Sequence, residues 1–147
     1  MKSTQSVHHS QSQRGHQAEQ QRLPRVCLIL GDLVFRSELE KQLAGSRLYV
    51  EAFDSCQVFM SQASVESVQC LVLSATLSDQ GDGVRFLELL HQGPVRVPTI
   101  VIAPDHEIKT AVQAMKANAI ECFEQGTPLP ILVKAIRALA LSKNPCS

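Results

Sequence analysis

From Arg25 onward the chain alternates short, wholly apolar runs with stretches whose apolar residues recur at helical spacing, and this restricts it to few folds. Val26-Cys27-Leu28-Ile29-Leu30, Cys70-Leu71-Val72-Leu73 and Thr99-Ile100-Val101-Ile102 are runs of a kind that suits strands covered on both faces. Leu48 to Phe53 reads as a second, shorter strand, and Ala119 to Phe123 as the fifth. Between them lie helical stripes. Leu33, Phe35, Leu39 and Leu43 follow a capping Asp32, and Val58, Phe59 and Met60 follow Asp54 or Ser55. Val84, Phe86, Leu87 and Leu90 follow a polar loop over Ser74 to Gly83. Ile108, Ala111, Val112 and Met115 share one side of a helix that Asp105 is expected to cap. Thr127-Pro128 reads as the start of a last helix that buries Leu129, Leu132, Val133, Ile136 and Ala140. Five strands alternating with five helices imply an α/β fold, with a five-stranded parallel sheet in the flavodoxin-like order 2-1-3-4-5 and helices on both faces.

Residues 1–24 stand apart. They hold six Gln, four Ser and three His, with hardly a large apolar side chain, and cannot bury enough surface to offset the entropy of ordering. A disordered tail over 1–24, a globular domain over 25–141 and a frayed terminus over 142–147 are expected. His8, His9 and His16 in the tail read as solvated residues rather than metal ligands. Fourteen Lys and Arg balance fourteen Asp and Glu, and there is no Trp, so neither a basic surface nor a stacking platform for nucleic acid is indicated. No segment approaches the length of a membrane span and no leader is legible, so a cytoplasmic protein is expected. The five cysteines lack any CxxC or metal-ligand spacing, and Cys27, Cys56, Cys70 and Cys122 read as small buried hydrophobes.

The stretch Val97-Pro98-Thr99-Ile100-Val101-Ile102, with Ala111-Val112-Gln113-Ala114-Met115-Lys116-Ala117-Asn118-Ala119 after it, resembles the fourth strand and fourth helix of CheY-like receiver domains of the FixJ type. The likeness continues through Glu121-Cys122-Phe123-Glu124 to Ala135-Ile136, and upstream to Cys70-Leu71-Val72-Leu73. The resemblance implies a domain that takes a phosphoryl group from a histidine kinase onto its own aspartate, with an acidic pair holding Mg²⁺ to neutralise the transferring group. Transferred position by position, it puts that acidic pair on Leu30 and Gly31 and the phosphoacceptor on Ser74. It puts the hydroxyl position on Ala103, the lysine position on Gln125 with Gly126 where a proline follows, and the aromatic switch on Cys122.

None of those residues has the required chemistry, which points to a degenerate receiver needing no cofactor and no metal. Asp32, Asp79 and Asp105 are expected along the same sheet edge, where a displaced acidic pocket is one reading and two helix caps with a loop residue the other. The loop after Ser74 is longer than in the family. The resemblance further implies an interface on the fourth helix and fifth strand, carried here by Lys109, Val112, Gln113, Lys116, Glu121 and Cys122.

The function expected is that of a stand-alone, non-enzymatic receiver binding a histidine kinase, a transcription regulator or itself, with no direct contact to nucleic acid or membrane. The alternative is a small-ligand-binding regulatory domain using the carboxyl edge of the sheet; against it, Gly31-Asp32-Leu33 is too sparse for a phosphate loop. An enzyme is the weakest reading. There is no nucleophile elbow, and His91 and His106 are expected at the surface, at the end and start of helices.

Overall fold

The computed structural model describes residues 23–77 and 81–142. Five strands form one parallel sheet: β1 (Arg25–Ile29), β2 (Tyr49–Phe53), β3 (Val68–Ser74), β6 (Thr99–Ala103) and β7 (Glu121–Glu124). Their order is β2-β1-β3-β6-β7, so the expected order 2-1-3-4-5 is the one observed. The chain reaches the next parallel strand through α1 (Leu33–Leu43), α2 (Cys56–Gln62), α3 (Gly83–Leu90) and α4 (Ile108–Lys116), and closes with α5 (Leu129–Ala140).

Strand pleating sends successive side chains to opposite faces, which divides the apolar runs between two cores. Cys27, Ile29, Leu71, Leu73, Val101 and Ala103 meet α2, α3 and α4 through Phe59, Leu87 and Ala114. Val26, Leu28, Cys70, Val72, Ile100 and Ile102 meet α1 and α5 through Leu39, Leu43, Leu132 and Ile136. Each of the buried Val, Leu, Ile and Phe side chains contributes about 1.5–3 kcal/mol, and the alanines less. Edge-on ring contacts, Phe53 to Phe59 at 5.4 Å and Phe59 to Phe86 at 6.2 Å, lock the first core.

Several local expectations need correction. Asp32 does cap α1, accepting from Val34 N and Phe35 N, and Ser55 rather than Asp54 caps α2. Asp105 caps nothing: α4 begins after Glu107 without a side-chain cap, because the Asp105 carboxylate is engaged by Gly126 N at 2.8 Å. The last helix starts one residue later than Thr127-Pro128 suggests, with Pro128 at the cap and Pro130 in its first turn. The fifth strand lies at Glu121–Glu124, displaced from Ala119 to Phe123 because Asn118, at φ 74°, turns the chain out of α4 and delays the strand. The polar loop after Ser74 contains an antiparallel strand pair, β4 (Thr76–Leu77) and β5 (Gly81–Asp82), with Leu77 buried in the first core and Asp82 capping α3. His91 is half-buried rather than surface: Nδ1 lies 3.0 Å from Ala117 O, and Nε2 lies 3.1 Å from Val97 O and 3.2 Å from Val97 N. The N-terminal tail up to residue 22, residues 143–147 and Asp79 lie outside the described residues.

Candidate functional site

Parallel strands all end at one edge, and there β1, β3 and β6 leave a cleft of about 380 Å³ lined by Gly31, Asp32, Ser74, Thr76, Ile102, Pro104 and Gln125. Ser74 is the last residue of β3, and its Oγ donates to Thr76 O at 2.9 Å. The chain then folds back so tightly that Gly83 N donates to Ala75 O at 2.7 Å, and a Cβ on Gly83 would sit 2.0 Å from Ser74 O. Leu30 is buried among the α1 and α5 side chains and Ala103 in the opposite core, so neither offers a polar group to the cleft.

Among the described residues, Asp32 is the only charged side chain that lines this space, and one of its oxygens already accepts two backbone N–H groups. Among the described residues no three His, Cys, Asp or Glu gather as a metal site. A hard divalent cation takes six or more oxygen ligands, several of them commonly carboxylates. The donor set of the described residues therefore does not fit Mg²⁺. Asp105 does not line the cleft, so the structure does not gather Asp32 and Asp105 into one acidic pocket.

On the α4 side of the same edge lies a groove of about 500 Å³, running between α4 and β7. Ile108, Ala111, Val112 and Met115 wall it on α4, while Cys122 and Phe123 form its floor on β7. The helical stripe seen in the sequence thus faces outward: Ile108 is 77% exposed, and Val112 and Met115 are each 47% exposed. The inward side of α4 is small, with Ala114 and Ala117 against the sheet.

Glu107, Glu124 and Lys116 stand around the groove, and Lys109, Gln113 and Glu121 are exposed residues of the same two elements outside its lining. Of the expected interface residues the structure therefore brings Val112, Lys116 and Cys122 to the groove. Ile108, Met115 and Phe123 are the residues that sequence reasoning omitted from it. The exposure of Ile108 and Met115 follows from the alanines at 114 and 117, which let the inward face of α4 lie close to the sheet.

Burial pushes the Cys122 thiol up, and the Glu124 carboxylate adds to the effect, so the reactive thiolate is disfavoured. Burial also pushes Cys56 up to about 11 and Cys27 up to about 12, while Cys70 is raised further still. All four behave as packing residues.

No protein-family profile matches the chain. The response regulator protein TodT of Pseudomonas putida is 31% identical over 91 residues, which are 62% of this chain and 40% of TodT. The chain thus spans about two fifths of the length of the curated relatives it matches. A response regulator receiver protein from Pseudoalteromonas atlantica superposes with a TM-score of 0.72 at 30% identity, covering 79% of this chain and 96% of that one. The chain belongs to the response-regulator receiver family. The crystal structure of FixJ-N, at 24% identity and a TM-score of 0.69 over 79% of this chain and 92% of its own, shares the fold of this receiver. No helix among the described residues of this chain is long and apolar enough to cross a membrane.

Proposed function

We propose that this receiver acts by protein–protein contact without accepting a phosphoryl group, as a cytoplasmic, non-enzymatic element of two-component signalling or transcriptional regulation. The observation that carries the reading is the chemistry at the end of β3. Ser74 stands where the resemblance puts the acceptor aspartate, its hydroxyl proton is directed to Thr76 O, and among the described residues no His or carboxylate is bonded to it as a base. Leu30, Gly31, Ala103 and Gln125 supply none of the charge that would hold a cation and a transferring phosphoryl group. Loss of the acceptor leaves the groove between α4 and β7 as the working surface. An exposed apolar strip flanked by both signs of charge suits a protein partner rather than a nucleic acid. The partners that fit the family are a histidine kinase, a transcription regulator or a second copy of the chain.

The test is incubation with acetyl phosphate and Mg²⁺, read by intact mass, alongside affinity capture by the wild-type chain and Lys116→Glu. The mass is expected to stay unchanged and capture to fall with the substitution. A stable adduct of one phosphoryl group would overturn the reading. A thermal shift with nucleotides or flavins, absent any captured protein, would favour a small ligand in the cleft instead.

A further inference from the structure

The loop that follows β6 and the loop that follows β7 are tied together by a pair of carboxylates in a reciprocal arrangement. Asp105, from the first loop, accepts from the main-chain N–H of Gly126 in the second at 2.8 Å. Glu124, at the end of β7, accepts from the main-chain N–H of His106 in the first at 2.8 Å. Each loop therefore offers one carboxylate and one N–H to the other. Gln125 N, which donates to Ala103 O at 2.8 Å, closes the base of the same junction. Bonds from main-chain N–H to an ionised carboxylate are stronger than neutral ones.

The residues around this junction fit it. His106 adopts φ 65°, a left-handed conformation that a side chain-bearing residue keeps only where its surroundings hold it, and the Glu124 bond falls on the amide of that same residue. Gly126 leaves room for the other bond: a Cβ there would stand 3.0 Å from Asp105 Oδ2 and 3.2 Å from Oδ1. Two residues after His106 the chain enters α4 at Ile108, which opens the groove wall continued by Val112 and Met115. Whatever fixes the loop fixes where that wall starts.

We propose that Asp105 and Glu124 form a latch that holds the β6–α4 loop, and with it the groove between α4 and β7, in one conformation without any switching event. The inference rests on the groove being the contact surface, and it names what keeps that surface formed. In the alternative, the two bonds are incidental surface contacts and α4 is positioned by Ala114 and Ala117 packing alone.

The full chain should be compared as wild type, as the double variant Asp105→Ala/Glu124→Ala, and as Asp105→Asn/Glu124→Gln, whose amide oxygens still accept an N–H. Amide hydrogen exchange is followed residue by residue, with the β3 amides of Leu71 to Leu73 reporting that the fold is intact. The alanine pair is expected to speed exchange at His106 and Gly126 by about tenfold, and to extend the increase through residues 108–112. The amide pair is expected to remain near wild-type rates. Unchanged exchange over 108–112 in the alanine pair would overturn the latch, as would equal loosening by the amide pair. Loosening on the expected pattern together with a phosphoryl adduct on the wild-type chain would retain the latch and overturn the proposed function. Unchanged exchange without an adduct would do the reverse.

Discussion

Replacing Gly83 with alanine puts a methyl carbon 2.0 Å from the carbonyl oxygen of Ser74, 3.1 Å from its carbonyl carbon and 3.3 Å from that of Ala75. Favourable contacts between non-bonded carbons begin at about 3.5 Å, so the first of these is a hard overlap. All three atoms are main chain, and no side-chain rotation relieves them. The strand end must move, or the bond from Gly83 N to Ala75 O must break. Overpacking of this kind costs about 1–3 kcal/mol, occasionally more, while alanine in place of glycine returns up to about 1 kcal/mol in a helix interior and less in a first turn. Because the 2.0 Å overlap is with rigid main chain, the cost falls at the upper end of that range, and the net expectation is a loss of about 2 kcal/mol, measured as a lower urea midpoint at unchanged slope. Gly45→Ala is the matched control: a Cβ there meets nothing within 4 Å, and stability should hold or rise by a few tenths of a kcal/mol. If Gly83→Ala unfolds within about 0.5 kcal/mol of wild type, the tight return of the chain over Ser74 is not a constraint on this fold, and the argument for it fails.

Asp32→Ala removes the acceptor for Val34 N and Phe35 N and should lower stability by about 1 kcal/mol in urea melts; no change would mean that water caps α1 equally well. The Cys27 thiol, raised by burial to about 12 from an ordinary 9.0, gives a pH signature of definite sign. Above pH 9 the unfolded chain releases this proton while the folded chain keeps it, so stability falls as pH rises from about 9 towards 12. Cys56 and Cys70 are raised by burial too, so Cys27→Val should make that alkaline limb shallower without abolishing it, and an unaltered slope in denaturation at pH 8 to 10.5 would contradict the assignment.

The sheet and its order were legible because buried parallel strands require uninterrupted apolar runs, and Val26 to Leu30, Cys70 to Leu73 and Thr99 to Ile102 have no other reasonable use. The cap at Asp32 was legible for a local reason, since its partners lie two and three residues away. Asp105 looks the same in sequence, an acidic residue just before a helix, yet its partner is 21 residues distant and supplied by another loop. Nothing in a linear pattern distinguishes the two. The ring of His91 is in the same position, because the groups it meets at Val97 and Ala117 come together only after α3, β6 and α4 have packed. On α4 the periodicity correctly put Ile108, Val112 and Met115 on one side, but periodicity alone does not say which side faces the sheet. Size decides it: the alanines fit the narrow space beneath the helix and the larger residues are left outside. Of the groove residues, Val112, Lys116 and Cys122 stood in the expected interface set, while Ile108, Met115 and Phe123 did not.

One edge of the five-stranded sheet is β7, four residues long and bounded by the exposed carboxylates Glu121 and Glu124. A strand so short, with like charges at both ends, is a poor template for an incoming strand, whose own backbone would have to lie alongside those charges. A partner arriving at this side of the molecule is thereby turned away from main-chain pairing, which accepts almost any sequence, and towards the side chains of the neighbouring groove. On the proposed reading of the groove, recognition there depends on what residues a partner carries, and the same device that discourages indiscriminate aggregation makes the surface selective.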